Sequence, residues 1–166
     1  MYERFALAFV ALFFLGCGSS SSDDPPLDFN GQYSGPSING MSNCPGSWTT
    51  GAEANGAVNL VQSGSDIQFQ AQGDTRLVFL IVFGSDSFTG KADGSHVDAV
   101  IVGSVTNMQG ACSYTWKGTI AANLKGDTLS GRLTYTPTTN NHVDCDTLKV
   151  TGCTRVTDFT YARPPK

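Results

Sequence analysis

In Ser113-Tyr114-Thr115-Trp116-Lys117-Gly118-Thr119-Ile120 every second residue is apolar or glycine. The same alternation runs through Thr128-Leu129-Ser130-Gly131-Arg132-Leu133-Thr134-Tyr135, after the turn Lys125-Gly126-Asp127. Period two on both sides of a glycine turn predicts an antiparallel hairpin with one buried face. Tyr114, Trp116, Gly118 and Ile120 would share that face with Leu129, Gly131, Leu133 and Tyr135. Working outward, Ile67, Phe69 and Ala71 alternate with Asp66, Gln68 and Gln70, and further turn signals stand at Ser63-Gly64-Ser65 and Asp93-Gly94-Ser95. About eight strands are predicted, at roughly 29–34, 57–62, 66–72, 77–83, 86–92, 95–103, 112–122 and 127–136, with a final piece within 143–161. Leu77 to Phe83 is apolar on both faces and is read as a strand covered on its outer side.

Many short strands at such spacing give a closed barrel or, as the alternative, a β-sandwich. Glycine on the apolar side favours the barrel: Gly31-Gln32-Tyr33, Phe88-Thr89-Gly90, Trp116-Lys117-Gly118 and Gly131-Arg132-Leu133 each set an inward Gly near an aromatic or leucine. Such positions permit the sharp bends of a small barrel and would leave room beside the aromatics. The architecture resembles the up-and-down barrels of the lipocalin type. The Gly-x-Trp that opens lipocalins stands here as Gly31-Gln32-Tyr33, and no C-terminal helix is legible.

The chain has 166 residues, 14% of them charged, with 10 Lys+Arg against 14 Asp+Glu. Basic residues are scattered, so there is no electrostatic footprint for nucleic acid. Glu occurs only at Glu3 and Glu53, which argues against a helical bundle.

The N-terminus carries a second signal. Arg4 precedes an uninterrupted apolar run from Phe5 to Leu15, too short for a bilayer span of about 20 residues but suited to a secretory signal. It ends in Phe13-Phe14-Leu15-Gly16-Cys17, which resembles the lipobox of bacterial lipoproteins, with Phe14 where Leu is commoner. That resemblance implies a signal peptide over 1–16 and a Cys17 that becomes the lipidated N-terminus. Gly18, rather than Asp, after the Cys implies passage to the outer membrane by the enteric sorting pattern. Residues 17–28 include Ser19-Ser20-Ser21-Ser22-Asp23-Asp24-Pro25-Pro26, a flexible tether with nothing to bury. Residues 29–166 are then one domain.

With Cys17 assigned, Cys44, Cys112, Cys145 and Cys153 form an even set in an exported chain, which predicts two disulfides. No C-x-x-C spacing favours zinc. If 145–153 is extended, its ends are too far apart to bond, and Cys112–Cys145 with Cys44–Cys153 follows. If it is a loop, Cys145–Cys153 with Cys44–Cys112 is natural, and both pairings stay open.

Catalytic motifs are absent: there is no H-E-x-x-H, G-x-S-x-G, P-loop or dinucleotide fingerprint. His142, Asp144 and Asp146 alternate and would form a metal triad if extended; the expected reading is instead a polar loop after Pro137-Thr138-Thr139-Asn140-Asn141. His96 and Asp98 are expected as a solvent-facing pair. No cofactor is implied, and the expectation is a non-enzymatic barrel. Its pocket candidates for a small apolar ligand are Tyr33, Phe69, Phe88, Tyr114, Trp116 and Tyr135. A filled interior would instead point to an envelope protein partner, or an inhibitory or structural role, through a long 35–56 loop with Trp48 exposed as its anchor.

Overall fold

A computed structural model of the chain describes residues 27–164; the predicted signal peptide, Cys17 and the tether before Leu27 lie outside the described residues. The order is β1 (Gly31–Ser42), β2 (Glu53–Ser63), β3 (Asp66–Ala71), α1 (Gly73–Phe83), β4 (Ser87–Asp93), β5 (His96–Val102), β6 (Asn107–Gln109), β7 (Cys112–Lys125), β8 (Thr128–Thr139), α2 (Val143–Thr147) and β9 (Arg155–Ala162). All pairings are antiparallel, and β5 pairs with β7 from His96↔Asn123 to Val102↔Lys117, which closes the sheet on itself. The result is a closed eight-stranded barrel, not a sandwich, with β6 as an extra short strand on β7.

Alternation builds the interior as predicted. Ile67, Phe69, Ala71, Trp116, Ile120, Leu129 and Leu133 are all buried, while the residues between them reach outward or sit at the pleat edge. The inward glycines suit the bends of the wall, but they leave no room beside the aromatics. A Cβ on Gly118 would lie within 2.9 Å of Ile101, Phe88 and Phe83, and one on Gly90 would meet the Asp98 carbonyl at 1.9 Å. They mark close approaches of chain and ring in a tightly bent wall, so they are filled positions and open no space.

The barrel has a closed and an open end. At the closed end the turns Gly64-Ser65, Gly94-Ser95 and Gly126-Asp127 join successive strands. Each puts its Gly at positive φ (61°, 56° and 60°) in the first turn position, where a side chain would be strained. Phe29 and Tyr33 fill that end; the Tyr33 hydroxyl donates to the Phe29 carbonyl at 3.1 Å, and the Arg163 guanidinium covers the ring and bonds the hydroxyl. The open end carries the long connections 43–52, 72–86, 103–111 and 140–154.

Two expectations fail at the open end. Residues 77–83 are not a strand: β3 pairs directly with β4 (Phe69↔Phe88), so no slot is left for one, and the segment folds as α1. Gly73 (φ 53°) and Gly84 (φ 75°) bound it, and Gly84 N–H closes on the Leu80 carbonyl. Phe79 and Phe83, four apart, point into the barrel, whereas Leu77, Val78, Leu80 and Ile81 stay exposed. Nor is 35–56 a loop. β1 runs to Ser42 and β2 starts at Glu53, leaving only 43–52 as the connection.

The structure pairs Cys44 with Cys153 and Cys112 with Cys145, each with Cα atoms 4.9 Å apart. This is the pairing expected from an extended 145–153, although the segment is helix and turn. Cys145 is instead drawn to Cys112 by a small cluster with Val150, while Cys153 belongs to the main core.

Candidate functional site: an apolar cavity at the open end

Beneath α1 lies a cavity of about 330 Å³. Its walls are Val58, Phe69, Ile120, Leu133 and Phe159 from the barrel and Phe79 from α1. Each arrives by simple alternation on its strand, and Phe79 is carried over the opening by the helix. The cavity exists because α1 fills only one side of the open end. Phe83 stacks on Tyr135 (5.6 Å, 5° between planes) and meets Phe88 edge-on at 5.8 Å, forming an aromatic plug toward β4, β5 and β7. On the β9 side Phe159 and Tyr161 stack at 4.9 Å and line the cavity wall.

Polar groups are concentrated toward β1, β2 and β9. Ser37 and Asn39 of β1, Asn55 of β2, Asp74 and Thr75 of α1, and Thr157 of β9 reach the lining, with Tyr135 and Tyr161. Thr75 also anchors the helix by accepting the Ala57 amide hydrogen at 3.2 Å. Burial pushes the Tyr135 phenol up to about 12, against the pull of its hydrogen bond with Thr157. The Tyr161 phenol is likewise raised by burial, its hydrogen bond with Ser37 working the other way. Both phenols are therefore neutral near pH 7. Thr157 also donates to the Asn39 side-chain carbonyl at 3.4 Å. The site is an apolar chamber with a hydrogen-bonding stripe on one wall.

The sequence candidates are distributed unevenly. Phe69 and Tyr135 line the cavity. Tyr33 does not, because it closes the opposite end. Phe88 belongs to the aromatic plug with Phe79 and Phe83. Tyr114 and Trp116 pack edge to face at 5.6 Å, outside the lining. Trp48 is not an exposed anchor: its indole N–H donates to the Gly40 carbonyl at 2.9 Å, its ring meets Tyr135 at 6.1 Å, and it forms part of the cavity wall. Arg155 sits between Trp48 and Trp116, 5.4 and 5.2 Å from their ring centres, and donates to the Pro45 carbonyl. Phe159, Tyr161, Asn39 and Phe79 were missed, although Phe159 and Tyr161 alternate and Phe79 and Phe83 have helical spacing.

His142, Asp144 and Asp146 do not share a strand face. His142 caps α2, its ring nitrogen accepting the Asp144 amide at 3.2 Å, and Asp144 accepts the Ala111 amide at 2.9 Å. Among the described residues no three His, Cys, Asp or Glu side chains are grouped as a metal site. His96 and Asp98 form an exposed pair at 3.1 Å, as expected. No helix among the described residues is long and apolar enough to cross a membrane. In comparisons with known proteins the chain matches no family model, no curated protein and no solved structure.

Proposed function

We propose that this protein is a lipid-anchored component of a bacterial outer envelope whose barrel carries a small apolar ligand without chemical turnover. The cavity carries this reading: about 330 Å³ of mostly apolar space, within the size range of small-molecule sites, with a few hydrogen-bonding groups to fix orientation. Geometry at the other end supports the anchoring part. The chain enters the barrel at the closed end, where Phe29 N–H donates to Gln62 at 2.9 Å, so a tether running from Cys17 would present the mouth away from its attachment. Both disulfides suit an oxidising compartment. The rival reading, a protein partner anchored by Trp48, loses support because Trp48 is committed to the cavity wall.

Native mass spectrometry of protein released from its own membranes tests the ligand. A co-purifying apolar molecule is expected, and Ala54→Trp, at an exposed lining position, should reduce its occupancy. Clean apo protein that also ignores neutral fluorescent probes would refute the reading. Blocked processing and lost membrane attachment in Cys17→Ala test the anchor. Hydrolytic turnover abolished by His142→Ala would overturn the non-catalytic part.

A further inference from the structure

We infer that the cavity selects uncharged amphiphiles, an apolar body bearing one hydroxyl or carbonyl group, and excludes anions such as fatty carboxylates. This rests on the ligand-carrying reading above and specifies its ligand. The only ionisable side chain in the lining apart from the phenols is Asp74, and no Lys, Arg or His belongs to it. Asp74 stands in the first turn of α1 at the cavity's polar side and has no ion-pair partner among the described residues. An anionic head placed there would give up water without gaining a cation and would face a like charge.

The guanidinium of Arg155 acts through space on the Tyr135 phenol but is not in the lining and offers no direct contact to a bound head group. It is held between two indole rings and bonded to Pro45, outside the lining. The polar stripe suits a neutral group instead. Tyr135 and Tyr161 are kept protonated by burial, and Asn39, Asn55 and Thr157 supply both donors and acceptors. A single hydroxyl or carbonyl can be satisfied by them at little desolvation cost. The volume suits a body of roughly ten to fifteen non-hydrogen atoms, taking about 30 Å³ as the liquid share of a water-sized group.

The test uses the full-length chain carrying Cys17→Ala, so that no attached acyl chain competes. Its cavity is filled with the neutral fluorescent probe 1-aminonaphthalene at pH 8. Displacement by 1-decanol is then compared with displacement by decanoate. Decanol should displace at a concentration lower by about tenfold or more, because the decanoate carboxylate would leave water with no cation in the lining to receive it. Asp74→Lys should narrow the gap several-fold, and Asp74→Asn should fall between. Decanoate displacing as well as decanol would overturn the inference while leaving the ligand-carrying reading intact. A gap untouched by both Asp74 substitutions would overturn the assignment to Asp74. No probe uptake by any of the proteins would overturn both the inference and the reading beneath it.

Discussion

At the closed end of the barrel, two-residue turns hold the strands, and Phe29 and Tyr33 fill the interior beneath the Arg163 guanidinium. At the open end, 43–52, 72–86, 103–111 and 140–154 wander, and structure is recovered by two disulfides and a helix. The difference is one of means. Local turn chemistry and ladder hydrogen bonds suffice where connections are short. Long connections lose too much conformational entropy to be ordered by ladders, and need cross-links and buried aromatics. That division places rigidity at one end and the cavity at the other.

The largest test of this contrast removes a cross-link. Replacing Cys44 and Cys153 together by serine should lower the unfolding free energy by about 4–5 kcal/mol, since the bridge closes 109 residues of sequence separation. Urea denaturation measures it, and an unchanged midpoint would mean that the open end needs no cross-link. Phe83→Ala comes next. It removes the centre of the plug, fully buried against Phe79, Phe88 and Tyr135, and should cost about 3 kcal/mol or more. It should also widen the cavity, seen as altered probe uptake. At the closed end Tyr33→Phe should cost only about 1–2 kcal/mol, the value of its lost hydrogen bonds, and leave probe binding untouched. A change in binding there would show that the two ends are coupled.

The smallest effect is a pH dependence. Tyr135 titrates at about 12 in the fold against an ordinary value near 10, so the folded state holds its proton longer than the unfolded chain. Its contribution to stability is complete below about pH 10 and is lost as pH rises toward 12. Melting temperatures across that window should fall less steeply in Tyr135→Phe. An identical slope would show that the phenol is not withdrawn from water.

The same contrast explains what the sequence disclosed. The closed end was legible because each turn carries its Gly at the required position and each strand alternates around it. Barrel class and the inward faces followed from that, whereas the cysteine count gave two disulfides but left their pairing open. The open end was harder to read for a physical reason: within α1 the run Leu77 to Phe83 is apolar on every side, so no polar face distinguishes it from a covered strand. Its state is decided by β3 and β4 pairing directly, a tertiary fact. The cavity was only half legible for a related reason. Alternation tells which residues point inward but not at what height, so Tyr33 and Tyr135 looked equivalent although they occupy opposite ends. Trp48 looked exposed because nothing local shows that Gly40 and Tyr135 lie within its reach.

β1 and β9 are neighbours in the wall, paired through Ser37↔Phe159 and Ile38↔Asp158, and the described residues begin and end at the closed end, where Arg163 donates to the Asp28 carbonyl. In a ring of strands no strand is first, and the order of synthesis is a convention of where the ring happens to be cut. A short linker from Pro164 back to Leu27, with new ends opened at Gly126-Asp127, would keep every ladder and both disulfides. Such a permuted chain would keep the long connections and the chamber under α1 as they are, while moving the ends by which the protein could be immobilised or fused.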